Sequence, residues 1–480
     1  MKQKRREFLK LVGASGAIQL VATRAIGSEI SNVKKASPLW GTNRFNMCGY
    51  AAPKIETVRI GFIGVGNRGG AAVTRVGKID GIDIKAICDT RQDKLDAAKV
   101  AAMRAGYTPQ GYTGNNDAWK KVCERNDIDL IYIATPWDLH TPMAVYAMKH
   151  GKHVCVEVPA ATTVDECWEL VETSENTKKH CMMLENCCYD FFEMLTLNMA
   201  RQGFFGEIVH CEGAYIHDLL DDMFSKNKYD HFWRLAENAN RNGNLYPTHG
   251  LGPICQILNI NRGDQLDYLV SVSTNDFMMG SMQKKMAATD PAYLRFQNKT
   301  FRGNMNTSTI RTKLGKTIML QHDVTSPRPY SRIHLVSGTK GIALKYPEPE
   351  RIAVNHVDWV TPEEFKKLEL QYQPPLTKKL GELAKQIGGH GGMDFLMDWR
   401  TIDCLRNGLP LDQDVYDAAL WSVIGPLSEQ SIKTRSKSMD VPDFTNNNWK
   451  TNKPVDIGLT RGGTTGVKVS VAKQIYKNAN

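Results

Sequence analysis

The six residues Gly64-Val65-Gly66-Asn67-Arg68-Gly69 have the spacing G-x-G-x-x-G, which brings a pyrophosphate against bare backbone. The first glycine permits a tight turn and the second lets a phosphate approach the main chain. The third lets the following helix pack closely on the preceding strand. The first turn of that helix then offers free N–H groups to an anion. By itself the hexapeptide is a weak signal, because a plain glycine turn has the same composition. Asp89 sharpens it: it ends a second apolar run twenty residues past Gly69, where a carboxylate reaches the ribose hydroxyls. A carboxylate there repels a 2′-phosphate and favours NAD over NADP. Arg91, two residues on, works in the other direction because it can pair with such a phosphate.

Other polar and aromatic residues fall in short clusters: Trp137-Asp138-Leu139-His140, Glu157-Val158-Pro159-Ala160, Glu185-Asn186-Cys187-Cys188-Tyr189 and Tyr246-Pro247-Thr248-His249-Gly250. Singly, each has a structural alternative. The last can be a turn into a helix capped by Thr248, Tyr189 a packed core aromatic, and Glu157 a buried acid at a strand end. His390, set between glycines, reads as a helix start, and Trp137 as a structural ring. Eleven cysteines are scattered with no C-x-x-C or zinc-ligand spacing, so neither a disulfide framework nor a structural metal is indicated. Several sit in apolar runs such as Lys85-Ala86-Ile87-Cys88, and core thiols are expected.

The elements that must position these residues alternate regularly at first. Val58 to Ile63 is a short apolar run stopping at Gly64, as a buried parallel strand does. Further strands are expected at 82–88, 128–134, 153–156 and 182–185, separated by helices from Gly69 and over 94–105, 140–150 and 164–178, with a loop at 106–116. That alternation implies βαβ crossovers and a parallel Rossmann sheet over residues 57–186. Residues 187–445 differ in character. A helix over 191–202 precedes alternating strands at 208–215, 309–314, 317–322 and 332–337, and helices follow at 393–407 and 415–424. This predicts an α+β domain with a large open, mostly antiparallel sheet, so the whole is an α/β chain of two domains. A length of 480 residues agrees, since single cores stop growing near about 250–300 residues.

The first thirty residues read as a targeting segment. Arg5-Arg6-Glu7-Phe8-Leu9-Lys10 resembles a twin-arginine signal, followed by an apolar stretch over 11–22 and small residues near 22–27. Residues 31–56 form an arm, and 446–480 a weakly patterned tail. Export of an already folded protein, to the periplasm or cell surface, is the expectation. The net charge of +10 is not concentrated: five basic residues lie in the first ten positions and the rest are interleaved with acids. No basic stripe with interleaved aromatics suggests nucleic acid, and no apolar run after the N-terminus is long enough to span a bilayer.

Taken together and in order, the clusters carry a resemblance. Glu157-Val158-Pro159 is similar to the Glu-Lys-Pro of the Gfo/Idh/MocA sugar oxidoreductases, but Val158 stands where their lysine assists proton transfer. With Gly213-Ala214-Tyr215-Ile216-His217-Asp218, Trp233-Arg234, Leu245 to Gly250, Arg328-Pro329-Tyr330 and Gly389-His390-Gly391-Gly392-Met393-Asp394, the chain resembles glycoside hydrolase family 109, the NAD-dependent α-N-acetylgalactosaminidases, from Val58 to Phe444. The resemblance implies that Asn67, Arg68, Asp89, Trp137, His140, Glu157, Val158 and Asn186 hold NAD, beside Gly64, Gly66 and Gly69. It implies that Tyr215, Arg234, Tyr246, Thr248, His249 and Tyr330 line the sugar pocket, and that Tyr189, His249 and Glu157 serve catalysis. No metal is implied.

The implied reaction borrows a hydride from carbon 3 of the sugar and removes the proton on carbon 2. The anomeric group is then eliminated, water is added, and the hydride is returned, with no net redox. Such a route needs acids and bases of intermediate strength rather than the paired carboxylates of ordinary glycosidases. A tyrosine with a pKa near about 10 would need a neighbouring positive charge, from Arg234 or the nicotinamide, to act as a base at neutral pH. The implied partner is a glycan ending in N-acetylgalactosamine, with a homodimer formed through the open face of the second sheet. Two other readings carry different tests: an exported NAD(P)-dependent sugar oxidoreductase, which would accumulate NADH, and a binding protein with no turnover.

Overall fold

The computed structural model describes residues 44–468. The twin-arginine segment, most of the arm and the last residues of the tail lie outside the described residues. Strands β1 (Val58–Ile63), β2 (Ile82–Cys88), β3 (Gln110–Tyr112), β4 (Leu130–Ile133), β5 (His153–Val156) and β6 (Cys181–Met183) form one sheet in the order β3-β2-β1-β4-β5-β6. Every neighbouring pair in it is parallel. The order reverses between β1 and β4, and at such a switch point the loops diverge and leave a crevice at the carboxyl ends of the strands. Gly64 follows β1 and the Trp137 turn follows β4, so both motifs open on that crevice. The stretch 106–116, expected as a loop, contains β3, the outermost strand.

β1, β4, β5 and β6 are buried almost throughout, as apolar runs are when both faces of a sheet are covered. The crossover helices α1 (Asn67–Val76), α2 (Gln92–Arg104), α3 (Ala118–Cys123), α4 (His140–Lys149) and α5 (Val164–Thr177) supply part of the cover. α5 begins with a capping box: the Thr163 hydroxyl accepts from the Glu166 N–H, and the Glu166 carboxylate accepts from the Thr163 N–H.

The second part of the chain carries helices α6 (Phe191–Arg201), α7 (Trp233–Glu237) and α8 (Thr248–Ile257), then α9 (Met393–Asn407) and α10 (Val415–Lys433). α9 and α10 return to pack on the first sheet and on α5. α10 also runs through Gly425 and Pro426, where a sequence reading stops it.

The second sheet has eight strands, β7 (Ile208–Ile216), β8 (Leu266–Ser273), β9 (Asn306–Thr312), β10 (Thr317–Asp323), β11 (Leu335–Gly338), β12 (Gly341–Leu344), β13 (Arg351–Val354) and β14 (Met439–Asp440), in the order β13-β12-β11-β7-β10-β9-β8-β14. It is mostly antiparallel, as expected. The exception is β7 with β10, a parallel pair whose long connection lets both strands enter from the same end. β11 starts at Leu335 rather than Arg332 because Ile333 and His334 take φ of 60° and 50°, which breaks the extended run. All eleven cysteines are unpaired, and ten of them are buried. Among the described residues no helix is long and apolar enough to cross a membrane.

The tail is a strap rather than an unpatterned end. The fully buried Asp403 carboxylate accepts the N–H groups of Gly463, Thr464 and Thr465 at 2.7, 3.1 and 3.1 Å. The Trp399 indole donates to Thr465 O at 3.1 Å, and beyond it Asp80 and Lys78 of the first domain bond Gly466 and Lys468 through their backbones. Hydrogen bonds, not an apolar period, fix this segment. Asp403→Ala leaves three N–H groups without their acceptor and is expected to cost about 2–4 kcal/mol in urea unfolding. An unchanged midpoint would show that the strap is held some other way.

Candidate active site

The glycine loop has the geometry its spacing requires. Gly64 takes φ +79°, and a Cβ on Gly69 would lie 1.9 Å from the Gly64 carbonyl oxygen. A Cβ on Gly66 would meet no protein atom within 4 Å, so the backbone there is open to approach. α1 begins with no side-chain cap and no acid in its first turn, which leaves its N–H groups for an anion. Asp89 is turned onto this loop, accepting the Val65 N–H at 2.7 Å and the Arg91 N–H at 2.9 Å. The Arg91 guanidinium instead grips Asp93 at 2.7 and 3.0 Å, so the cation that would favour a 2′-phosphate is already engaged. These residues fit a dinucleotide with free ribose hydroxyls. Asn67 uses its amide to hold Lys228 O at 2.7 Å, tying the loop to the second domain.

Arg68, in the first turn of α1, reaches out of the first domain. Its Nε donates to Glu157 at 3.0 Å, and its Nη1 donates to Asp394 at 3.2 Å and meets His390 Nδ1 at 3.0 Å. Asp394 is 1% exposed and also takes the Asn186 amide, the Arg75 guanidinium at 3.5 Å and His390 Nδ1 at 3.0 Å. Burial pushes its pKa up, but the His390 hydrogen bond and the charges of Arg68 and Arg75 outweigh that and hold it well below the usual carboxylate range. Arg68, Glu157 and Asn186, expected at the cofactor, are thus brought together, by an acid on α9 that the sequence reading did not assign. Val158 is buried and precedes a cis peptide bond to Pro159. His140 is a correction. It is fully buried, with one ring nitrogen 2.7 Å from Pro159 O and the other 2.8 Å from Thr135 O. It braces the loops after β4 and β5 and has no nitrogen left for a ligand.

Beside this network lies an aromatic cluster, formed where α8 presses on β7. A Cβ on Gly213 would lie 2.4 Å from Gly250 O, and one on Gly250 would lie 2.4 Å from Ala214 N. Two bare backbones therefore touch, and this seats His249 with its ring 5.2 Å from Tyr215 and 4.9 Å from Tyr246. Arg234 on α7 is buried with its guanidinium 5.3 Å from the Trp137 ring, 5.3 Å from Tyr229 and 5.0 Å from Tyr246. It has no ion pair among the described residues, and its Nε has no partner. Trp137, expected at the cofactor, thus walls this pocket. Burial pushes the Tyr215 phenol up to about 12 against the lowering charge of Arg234. Tyr330 stands 5.1 Å from the His217 ring and accepts from Arg332 at 3.1 Å; Arg332 is held in turn by Asp190 and Glu193.

His249 Nδ1 lies 2.7 and 3.0 Å from the two oxygens of Glu185. The Thr248 hydroxyl lies beside the same carboxylate. Glu185 went unassigned in the sequence reading, although it follows β6 much as Glu157 follows β5. Glu185, Cys187 and His249 gather three ligand-type atoms within 4.8 Å. The hydrogen bond already closed between two of them, and a Cys187 thiol pushed far up by burial, make this a dyad with a neutral neighbour rather than a ligand set. Tyr189 is not brought to the pocket. Its buried hydroxyl donates to Asp412 at 3.2 Å, and the groups acting on it are Asp412, Cys404, Arg400 and Cys188. Burial and the Asp412 charge push it far up, against the work of a base. A lone Tyr in the chain carries no mark of which way its ring will turn.

Comparison with known proteins agrees with this division. Residues 189–451 match the family model described as glycosyl hydrolase 109, C-terminal domain, and residues 58–185 match the oxidoreductase family, NAD-binding Rossmann fold. An α-N-acetylgalactosaminidase of Bacteroides fragilis is 52% identical over 84% of this chain and 96% of its own. One of Shewanella oneidensis is 46% identical over 94% and 98%. Among solved structures, scyllo-inositol dehydrogenase of Lactobacillus casei with NAD(H) and scyllo-inositol is 15% identical, with a TM-score of 0.57, over 80% of this chain and 99% of that one. Levoglucosan dehydrogenase with NADH is 16% identical, with a TM-score of 0.57, over 81% and 100%. At that identity the likeness is one of fold.

Two outcomes test the geometry. The folded-state pKa of Asp394 is below its unfolded value, so its carboxylate stabilises the fold at neutral pH and loses that effect as pH falls below about 4. Asp394→Asn is expected to cost about 3 kcal/mol at pH 7, with a difference from the parent that shrinks towards pH 3 in urea titrations. A pH-independent difference would contradict the ionised network. Gly250→Ala must push α8 off β7; turnover is expected to drop at least about tenfold while dinucleotide binding, read by fluorescence, is retained.

Proposed function

The chain belongs to glycosyl hydrolase family 109, and from that premise we propose that it removes terminal, α-linked N-acetylgalactosamine from glycans with NAD held as a resident cofactor. The observation that carries the reading is Arg234. A guanidinium buried against three aromatic rings, with a phenol but no carboxylate as partner among the described residues, keeps donors for neutral oxygens. Sugar hydroxyls and an acetamido carbonyl are such oxygens, and the rings of Tyr215, Tyr246 and Trp137 give the apolar face of a pyranose a flat surface. Glu157 is paired with Arg68 and Glu185 with His249, so among the described residues neither acid is free for the two-carboxylate chemistry of ordinary glycosidases.

Gly64 to Gly69, Asp89 and the Arg68–Glu157–Asn186 group would hold NAD, which when bound supplies a hydride acceptor and donor for carbon 3 of the sugar. His249, with Nδ1 engaged by Glu185, has Nε2 left to take a proton from the substrate and give one back. Tyr215 and Tyr246, kept neutral by burial, donate hydrogen bonds to sugar oxygens. Arg234 orients the ring, and the enclosing aromatic side chains exclude water. Arg5-Arg6 and the apolar run after them support export of the folded, loaded enzyme to the periplasm or cell surface. The exposed Val209, Tyr268 and Val272 of β7 and β8 support a homodimer through that sheet.

The purified protein, with no NAD added, is expected to release the aglycone of an aryl α-N-acetylgalactosaminide. In heavy water the freed sugar should carry deuterium at carbon 2. Accumulating NADH without sugar release would mark an oxidoreductase, and cleavage with no label at carbon 2 would rule out the elimination route.

A further inference from the structure

The Glu185 carboxylate is 0% exposed, yet it is not part of the Arg68–Asp394 network. Its backbone is pinned on both sides, with Gln413 Nε2 donating to Glu185 O at 3.0 Å and the Glu185 N–H donating to Met183 O at 2.9 Å, and the carboxylate accepts the Cys187 N–H at 3.1 Å. Both of its oxygens lie within 3.0 Å of His249 Nδ1. The other ionisable groups around the imidazole are Tyr215 on β7, His217 just after it, Tyr246 ahead of α8, Arg234 on α7 and Cys187. Tyr215 and Tyr246 meet the His249 ring edge-on, and neither hydrogen-bonds it. Burial raises the carboxyl pKa, but His249, by charge when protonated and by its hydrogen bond in either state, the Thr248 hydroxyl and the Cys187 N–H together lower it, so Glu185 stands ionised.

An ionised carboxylate can only accept. A neutral imidazole carries one N–H, and the ring nitrogen facing such an acceptor is the one that keeps it. We propose that Glu185 is the positioning residue of this site: it holds the proton of neutral His249 on Nδ1 and leaves the Nε2 lone pair as the atom that exchanges protons with the sugar. What Nε2 does rests on the glycosidase reading above; where the proton sits does not. The arrangement differs from an incidental buried ion pair in its backbone bracing and in the absence of any second cation on Glu185 among the described residues.

The test separates the two. With ¹⁵N-labelled histidine in the full chain, the His249 resonances, assigned by their loss in His249→Asn, should show the Nδ1–H tautomer in the parent at neutral pH. In Glu185→Gln, whose amide can donate to Nδ1 as well as accept, that signature should weaken. The kcat on an aryl glycoside should fall about 10²-fold or more, with KM and bound-dinucleotide content changed less than about threefold. Glu185→Asp, keeping the charge, should recover part of the loss. A parent His249 protonated on Nε2 overturns the proposal whatever the variants do, and so does Glu185→Gln with unaltered tautomer and kcat. If Glu185→Gln does not fold, the parent tautomer and the Asp variant decide. Absence of glycosidase activity with the Nδ1–H tautomer present would sink the functional reading and leave this one standing.

Discussion

Asp394 is the acid on which the placement of the two halves turns. A carboxylate that is almost fully buried is tolerable only when its lone pairs are filled and its charge is balanced. Asp394 meets that need with Arg68 and Arg75 from the nucleotide helix, Asn186 from the end of the first sheet and His390 from its own turn. Because Arg68 also holds Glu157, the first turn of the phosphate-facing helix is bound to both the first sheet and α9. The glycine loop therefore cannot move freely with respect to the pocket.

Buried arginines elsewhere in the molecule show what the pocket omits. Arg262 is closed by Asp414 and Asp417, Arg400 by Asp412, and Arg332 by Asp190 and Glu193 with Lys345 beside it. Each of these is held by acids, while the fully buried Arg302 is held by the Asn238 side chain and two backbone carbonyls. Arg234, also buried, has aromatic faces and a phenol where Arg262, Arg400 and Arg332 have acids. Leaving a guanidinium without a carboxylate in a low-dielectric site is costly for folding. The completed Arg332 cluster contributes indirectly, by holding Tyr330 at the rim.

Close backbone packing does the remaining placement. The Gly213–Gly250 contact sets α8 against β7 at a distance no other residue allows, and it decides that His249 and Tyr215 face one another. The tail, bound through Asp403, joins α9 to the first domain from the far side, so the helix carrying Asp394 is fixed at both ends.

Local signals determined a good part of this protein. The G-x-G-x-x-G spacing, Asp89 and the alternation of apolar runs with helices specify a parallel sheet with a nucleotide site, because strand burial and phosphate access constrain consecutive residues. The clustered motifs named the pocket residues Tyr215, Arg234, Tyr246 and His249. Tertiary packing alone decided which way shared-looking residues turned. Tyr189 went to Asp412 and His140 to two carbonyls. Trp137 went to Trp233, Tyr246 and Arg234, and Glu185 to His249. The partner of Glu185 lies 64 residues along the chain and that of Tyr189 lies 223, and nothing in their own neighbourhoods encodes those distances. The same holds for the strap, for the parallel pairing of β7 with β10, and for the return of α9 and α10 to the first sheet. Each is settled by hydrogen bonds or surface that exist only once the chain has closed.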